Sequence, residues 1–321
     1  MENTVLKVDK NDSGAFNTVS EALGAANAYW GLPVEIRLAP GQYRERLVIS
    51  QPLISLVGDQ STETIITFDD AALDILPDGR KRGTFRTATV LVEGSGFRAR
   101  NITFQNSAGS GESAGQCIAL YVDTDKAGFE NCRFLGAQDT LFLAPLPLQE
   151  MEKGGFRGPK EFTPRLMGHH HFQNCFIEGD VDFIFGGAAA LFENCEIHSL
   201  DKDKEINGYI TAPCTPESEE QGFVFYRCRF TGSCAPGTVY LGRPWRHYAR
   251  VVIVECELGP HIHPAGFHDW DKTDSHNTSC FAEFGSRGEG AAGRERAAFV
   301  QQFDEDRASA VMEKIRRLCT F

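Results

Sequence analysis

"NCRFLGAQDTLF", Asn131 to Phe142, decides the fold because its opening recurs along the chain. Cysteine followed two residues later by a large apolar residue appears in "NCRF" at Asn131, "NCFI" at Asn174, "NCEI" at Asn194, "RCRF" at Arg227 and "ECEL" at Glu255. In a strand, positions i and i+2 share a face. Each segment therefore buries Cys132, Cys175, Cys195, Cys228 or Cys256 together with Phe134, Ile177, Ile197, Phe230 or Leu258. "NITF" at Asn101 repeats the pattern with Ile102 and Phe104. The intervals, roughly 20 to 43 residues, average near one turn of a large β-solenoid. The pattern predicts an all-β fold, a single-stranded right-handed parallel β-helix in which equivalent side chains of successive coils form internal ladders. The thiols read as packing, since free cysteine behaves as a small hydrophobe. The polar residue ahead of each cysteine faces outward or lies at a turn.

Composition agrees with this reading. The 321 residues include 32 glycines and 24 phenylalanines against four methionines, which favours strands and turns over helical bundles. A net charge of −12 argues against a duplex nucleic-acid partner, which calls for a basic face. No apolar run reaches the length of a membrane span, and "MENTVLKVDKND" lacks the charged start and apolar centre of a secretory signal. The ten cysteines show no zinc-ribbon spacing. The chain is read as one domain over 1–321, expected to act as a monomer. Helical spacing over Asn17 to Tyr29 (Val19, Ala22, Leu23, Ala26), with Thr18 or Ser20 near its start, predicts an N-terminal capping helix. Arg294 to Leu318, rich in Ala, Arg and Glu, predicts one or two helices on the outside as a C-terminal tail.

Ala144 to His171 breaks the rhythm with four prolines and four glycines and reads as a loop inserted between two coils. Its His169–His171 run suggests a metal, but consecutive histidines on an extended chain point in different directions and no acidic cluster accompanies them. No metal and no cofactor is expected.

The second half of the opening stretch carries chemistry. Asp139 lies eight residues after Asn131, and Asp182, in "GDVDFIFGG", lies eight after Asn174. Equal offsets in adjacent coils place the two carboxylates one above the other on one sheet, at about the 4.8 Å inter-strand spacing. Two like charges so close drive one pKa up while the other stays low, an arrangement that provides an acid beside a nucleophile or base. "YLGRPWR" adds Arg243, able to hold a carboxylate ionised, and Trp245, able to stack on a sugar ring. Gln116 and Gln138 are neutral amides able to donate to a developing oxyanion.

"GQYRERL", "GQCIALYV", "GAQDTLF", "GDVDFIFGG" and "YLGRPWR", in this order, resemble the successive signature motifs of pectin methylesterases, and the likeness runs from "SGAFNTVSEAL" to "FAEFGSRGEG". The resemblance implies hydrolysis of methyl esters on homogalacturonan or its oligosaccharides, without a metal. By matching motifs it implies Asp182 as nucleophile, Asp139 as general acid and then base, and Gln116 and Gln138 as oxyanion donors. It further implies Arg243 as the group that orients Asp182, and a substrate surface of Thr84, Gln116, Phe142, Phe185, Arg243 and Trp245. Cys117 replaces the alanine usual after Gln116, and Phe142 stands where plant members carry Tyr. The long insert is also absent from the compact plant pattern and is expected to border the cleft.

Rival readings remain at this point. Either aspartate alone suits a solvated turn. A Ca²⁺-dependent lyase needs several carboxylates and a basic residue, and an inverting glycosidase needs carboxyls about 6.5 to 9.5 Å apart. A non-catalytic pectin-binding solenoid needs neither. Many unpaired cysteines and no recognisable leader lead to the expectation of a cytoplasmic protein, the alternative being a secreted one whose signal is absent from this sequence.

Overall fold

The computed structural model describes residues 4–291 and 295–321. Three parallel sheets, of eleven, eight and seven strands, wind into a right-handed β-helix whose central coils give one strand to each sheet in turn. The opening stretch shows how a coil is built. Strand Ala127–Glu130 belongs to the eleven-stranded sheet, Arg133–Leu135 to the eight-stranded sheet and Leu141–Leu143 to the seven-stranded sheet. The corner between the first two falls on Asn131, at a left-handed φ of 51°. The same corner recurs at Asn101, Asn174, Asn194, Arg227 and Glu255, with φ between 53° and 58°. Asn tolerates this conformation better than most residues, which accounts for its place before the cysteine in three of the repeated motifs.

Inside the coil, Phe104, Phe134, Ile177, Ile197, Phe230 and Leu258 stand in register across the eight-stranded sheet. The thiols form the predicted ladder, and from Cys195 onward each donates to a carbonyl of the preceding coil: Cys195 to Phe172 at 3.4 Å, Cys228 to Phe192 at 3.3 Å, Cys256 to Phe225 at 3.4 Å. Beside it runs a second ladder that the cysteine frame did not bring out. Phe129, Phe172, Phe192 and Phe225 stack face to face with centroids 4.7, 4.8 and 4.5 Å apart. Each sits three residues before a cysteine, so the signal was present just upstream of the motif.

The ends are closed as the patterns predict, with two refinements. Helix Val19–Ala26 starts at Thr18, which forms a capping box with Glu21 and buries Val19, Ala22 and Ala26. At the other end there is one helix, Glu305–Cys319, capped by Asp304, with Glu305 and Asp306 in its first turn and Arg316 and Arg317 in its last. It lays Ala308, Met312, Ile315 and Cys319 across the outer face of the eleven-stranded sheet, against Leu191, Val224 and Val252. The strand Gln301–Gln302 adds the last rung before it, and Arg294, where the tail was expected to begin, lies outside the described residues.

The insert is shorter than expected. Strand His169–Gln173 pairs with Ala127–Glu130 and Ala189–Glu193, so the three histidines belong to the coil. Their alternation fits a ladder: His170 is fully buried against the Thr124 carbonyl at 2.9 Å, while His169 meets Asp125 at 2.7 Å and His171 meets Glu193 at 3.4 Å. Among the described residues, no cluster of three or more His, Cys, Asp or Glu side chains is arranged to hold a metal.

Candidate active site

The outer face of the seven-stranded sheet carries the candidate site. Leu141–Leu143 and Val181–Gly186 pair with Leu141 opposite Ile184 and Phe142 opposite Phe185, which puts Asp139 and Asp182 at matching positions of adjacent coils. The Asp139 N–H donates to the Val181 carbonyl at 3.1 Å. Both aspartates are left-handed corner residues, with φ of 65° and 50°. The same conformation recurs at the corners before the cysteines, so the backbone here follows the coil, and what sets the pair apart is two carboxylates in register.

The surroundings separate the pair. Arg243, at the end of strand Val239–Gly242, forks onto Asp182, Nε to Oδ1 at 2.9 Å and Nη2 to Oδ2 at 2.7 Å. Both side chains are largely withdrawn from water, 15% and 11% exposed. Burial raises the Asp182 carboxyl above its ordinary value, and the Arg243 hydrogen bonds and charge, with the charge of Lys272, offset only part of that rise. Asp139 receives no such fork. Burial, reinforced by the Asp182 charge, holds it well above the usual carboxylate range. Asp139 is raised further than the forked Asp182, and a pair of carboxyls separated in this direction is the division of labour that an acid and a nucleophile require.

Gln138 precedes Asp139, and its carbonyl accepts the Cys117 N–H at 3.0 Å, which brings Gln116 onto the neighbouring coil. Both glutamines are partly exposed, and among the described residues no protein group engages either side-chain amide. Thr84 opens the short turn Thr84–Arg86, partly exposed at the cleft, while Phe85 beside it packs edge-on to Phe142 at 5.1 Å. Trp245 is partly exposed, with its ring 5.9 Å from Phe185.

Two of the substrate-surface candidates lie deeper than the motif match implied. Phe142 is fully buried and Phe185 is 4% exposed, both roofed by Phe85, Phe156 and Trp245. They support the cleft floor rather than present it. Phe156 comes from the insert, 5.9 Å from Phe85 and 6.3 Å from Trp245, and only a glycine fits at 158, where a Cβ would come 2.7 Å from the Phe85 carbonyl oxygen. Lys160 ties the insert to Glu93 at 3.1 Å and Asp123 at 3.2 Å. The insert thus borders the cleft.

Reading the sequence missed what holds Arg243. Its guanidinium lies between Tyr209, 3.8 Å away, and Trp270, 3.7 Å away. Neither residue belongs to the repeated frame, and only the coiling brings Trp270 back over the site.

The pectinesterase family profile matches residues 5–146 and 166–311, so it passes over most of the insert. Pectinesterase 31 of Arabidopsis thaliana is 34% identical over 95% of this chain and 89% of its own length. Pectinesterase QRT1 of the same plant is 36% identical over 89% of this chain and 70% of its own. The solved carrot pectin methylesterase superposes with a TM-score of 0.79 at 32% identity, covering 96% of this chain and 90% of that one. A pectin methylesterase solved with a bound hexasaccharide superposes with a TM-score of 0.80 at 26% identity, over 98% and 97% of the two chains.

These relatives overturn the cytoplasmic expectation. They are plant and microbial pectinesterases, enzymes of a wall polymer that lies outside the cell, and not cytoplasmic proteins. The expectation rested on unpaired thiols, and the structure shows why these are uninformative about compartment. All ten cysteines are free, and all but Cys280 are buried. Burial pushes Cys132 up to about 12 and Cys117 up to about 11.

Proposed function

The chain belongs to the pectinesterase family, and from that premise we propose that it removes methyl esters from galacturonate units of homogalacturonan or its oligosaccharides, releasing methanol. The observation that carries this reading is the forked Asp182–Arg243 pair one coil from the buried, unforked Asp139. Asp182 attacks the C6 carbonyl carbon of a methyl galacturonate. The carbonyl oxygen takes up charge and is stabilised by the free amides of Gln116 and Gln138. As the tetrahedral intermediate collapses, the C6–OCH₃ bond breaks and Asp139 gives its proton to the departing methoxide, leaving an anhydride on Asp182. Asp139, now ionised, takes a proton from water. The hydroxide opens the anhydride at C6, the Asp182 carboxylate is released to Arg243, and Asp139 is again protonated. Thr84 and Trp245 line the sugar subsites, with Phe142 and Phe185 beneath them.

Methanol release from highly methylated pectin tests this, wild type beside Asp182→Ala, with ultraviolet absorbance of unsaturated product followed in parallel. Methanol from the wild type alone supports the reading. Absorbance without methanol identifies a lyase, and silence in both a binding solenoid. We further propose that the insert narrows the groove and favours oligosaccharides over long polymer. Deleting 147–165 raises the rate on polymer relative to oligomer, and an unchanged ratio ends that idea.

A further inference from the structure

Trp270 and Asp271 are consecutive left-handed residues, with φ of 55° and 56°. A bulky indole rarely adopts this conformation, which persists only where the surroundings impose it. Here they do. The Trp270 N–H donates to His268 Nδ1 at 2.9 Å, the Asp271 N–H donates to Asp269 Oδ1 at 3.0 Å, and Asp269 also meets His276 at 3.1 Å. Lys272 then crosses to the other side of the site. Its Nζ donates to the carbonyls of Pro244 at 2.7 Å and Trp245 at 3.3 Å, and lies 4.1 Å from the centre of the Trp270 ring. The turn is therefore fastened at both ends with its indole over the face of Arg243.

Below Arg243 the column continues. Tyr209 lies against its opposite face, Tyr240 stacks on Tyr209 at 5.5 Å and 9°, and His263 stacks on Tyr240 at 4.1 Å. Tyr209 and Tyr240 are neighbours in register on the seven-stranded sheet, so this half of the clamp is set by the coil itself. A guanidinium held between two rings keeps one orientation, and the fork to Asp182 needs that orientation.

We propose that Trp270 and Tyr209 are positioning residues that clamp Arg243 in the plane from which it forks onto Asp182, with Lys272 locking the Trp270 turn. The proposal rests on the esterase reading for its kinetic consequences but not for the geometry. Loosening the clamp lets Arg243 swing away, so Asp182 is ionised over a narrower range. The charged groups acting on the pair are Arg243 and Lys272 around Asp182, Asp182, Arg243 and Asp180 around Asp139, and Arg246, Arg243, Asp182 and Asp274 around Lys272. Of these, the clamp moves Arg243 furthest.

The test compares Trp270→Leu with Trp270→Phe, and Tyr209→Leu with Tyr209→Phe, so that the second pair decides if the first leucine variant does not fold. Each leucine variant lowers kcat about tenfold, with KM within about twofold, on the scale of a lost cation–π contact. Its acid limb of kcat/KM moves to higher pH, and each phenylalanine variant restores both. A loss carried by KM alone, or a fall in kcat with an unmoved acid limb, overturns the proposal. A ¹⁵N spectrum of the Arg243 Nε–H, identified by its loss in Arg243→Lys, needs no turnover. It is sharp in the wild type and broadened in the leucine variants if the clamp holds. Unchanged peaks reject the clamp whether or not the protein releases methanol, whereas a wild type that releases none rejects the esterase reading alone.

Discussion

The inside and the outside of the same coils are built on opposite principles. Inside, one rung resembles the next: Phe129, Phe172, Phe192 and Phe225 stack, and beside them Cys132, Cys175, Cys195, Cys228 and Cys256 fill equivalent places. Outside, above the seven-stranded sheet, the repetition breaks. Asp139 and Asp182 share a register yet only Asp182 meets an arginine, and the stacked Tyr209 and Tyr240 give way to Arg243 and then Trp270. Repetition marks where side chains do the same job of excluding water. Its failure marks where each has a job of its own.

The comparison breaks most visibly at Asp139. Asp139→Asn lowers methanol release by about a thousandfold, the scale of a lost general acid and base. The same change raises thermal stability at neutral pH. The folded carboxyl titrates above its unfolded value, so between the two the native state binds the extra proton and stability falls as pH rises. Asparagine carries no such penalty. The gain in melting temperature therefore shrinks as pH falls below the unfolded carboxylate range, and thermal melts of both proteins across pH check it. A gain that persists in acid contradicts the assignment of Asp139 as the strained member of the pair.

An interior rung has the reverse signature. Phe192→Ala removes a fully buried ring between Phe172 and Phe225 and costs about 3–5 kcal/mol, read from denaturant midpoints, with kcat of the folded protein unchanged. Smaller still is Cys195→Ala, which leaves only a small void and costs about 1 kcal/mol, again without a kinetic effect. A large fall in kcat from either interior change would show that the two faces are not independent.

Much of the candidate site was legible because its parts lie at fixed offsets within the repeat. The equal distances from Asn131 to Asp139 and from Asn174 to Asp182 place both aspartates in register without any coordinates. Gln138 follows from its neighbour. Phe142 and Phe185 were legible as residues of the outer face but not as buried ones, because the roof over them comes from Phe85, some 57 residues ahead of Phe142, and from Phe156 in the insert. The three histidines were assigned to the loop by their proximity to prolines and glycines, although their alternation already fitted the strand that pairs with Ala127–Glu130.

By itself, the sequence determined the architecture: a cysteine and an apolar residue two apart, recurring once per coil, specify parallel strands because only stacked coils bury every copy at once. It determined the register of the two carboxylates for the same reason. Only the tertiary structure decided which carboxylate is paired, since that depends on Arg243, some 61 residues beyond Asp182, arriving within hydrogen-bond distance of Asp182. It alone decided how Arg243 is held, because a strained turn at Trp270 has no periodic signature and gains its meaning from what it lies over. Local patterns record forces that repeat along the chain. The clamp is a single meeting of distant segments, and a single meeting leaves no pattern.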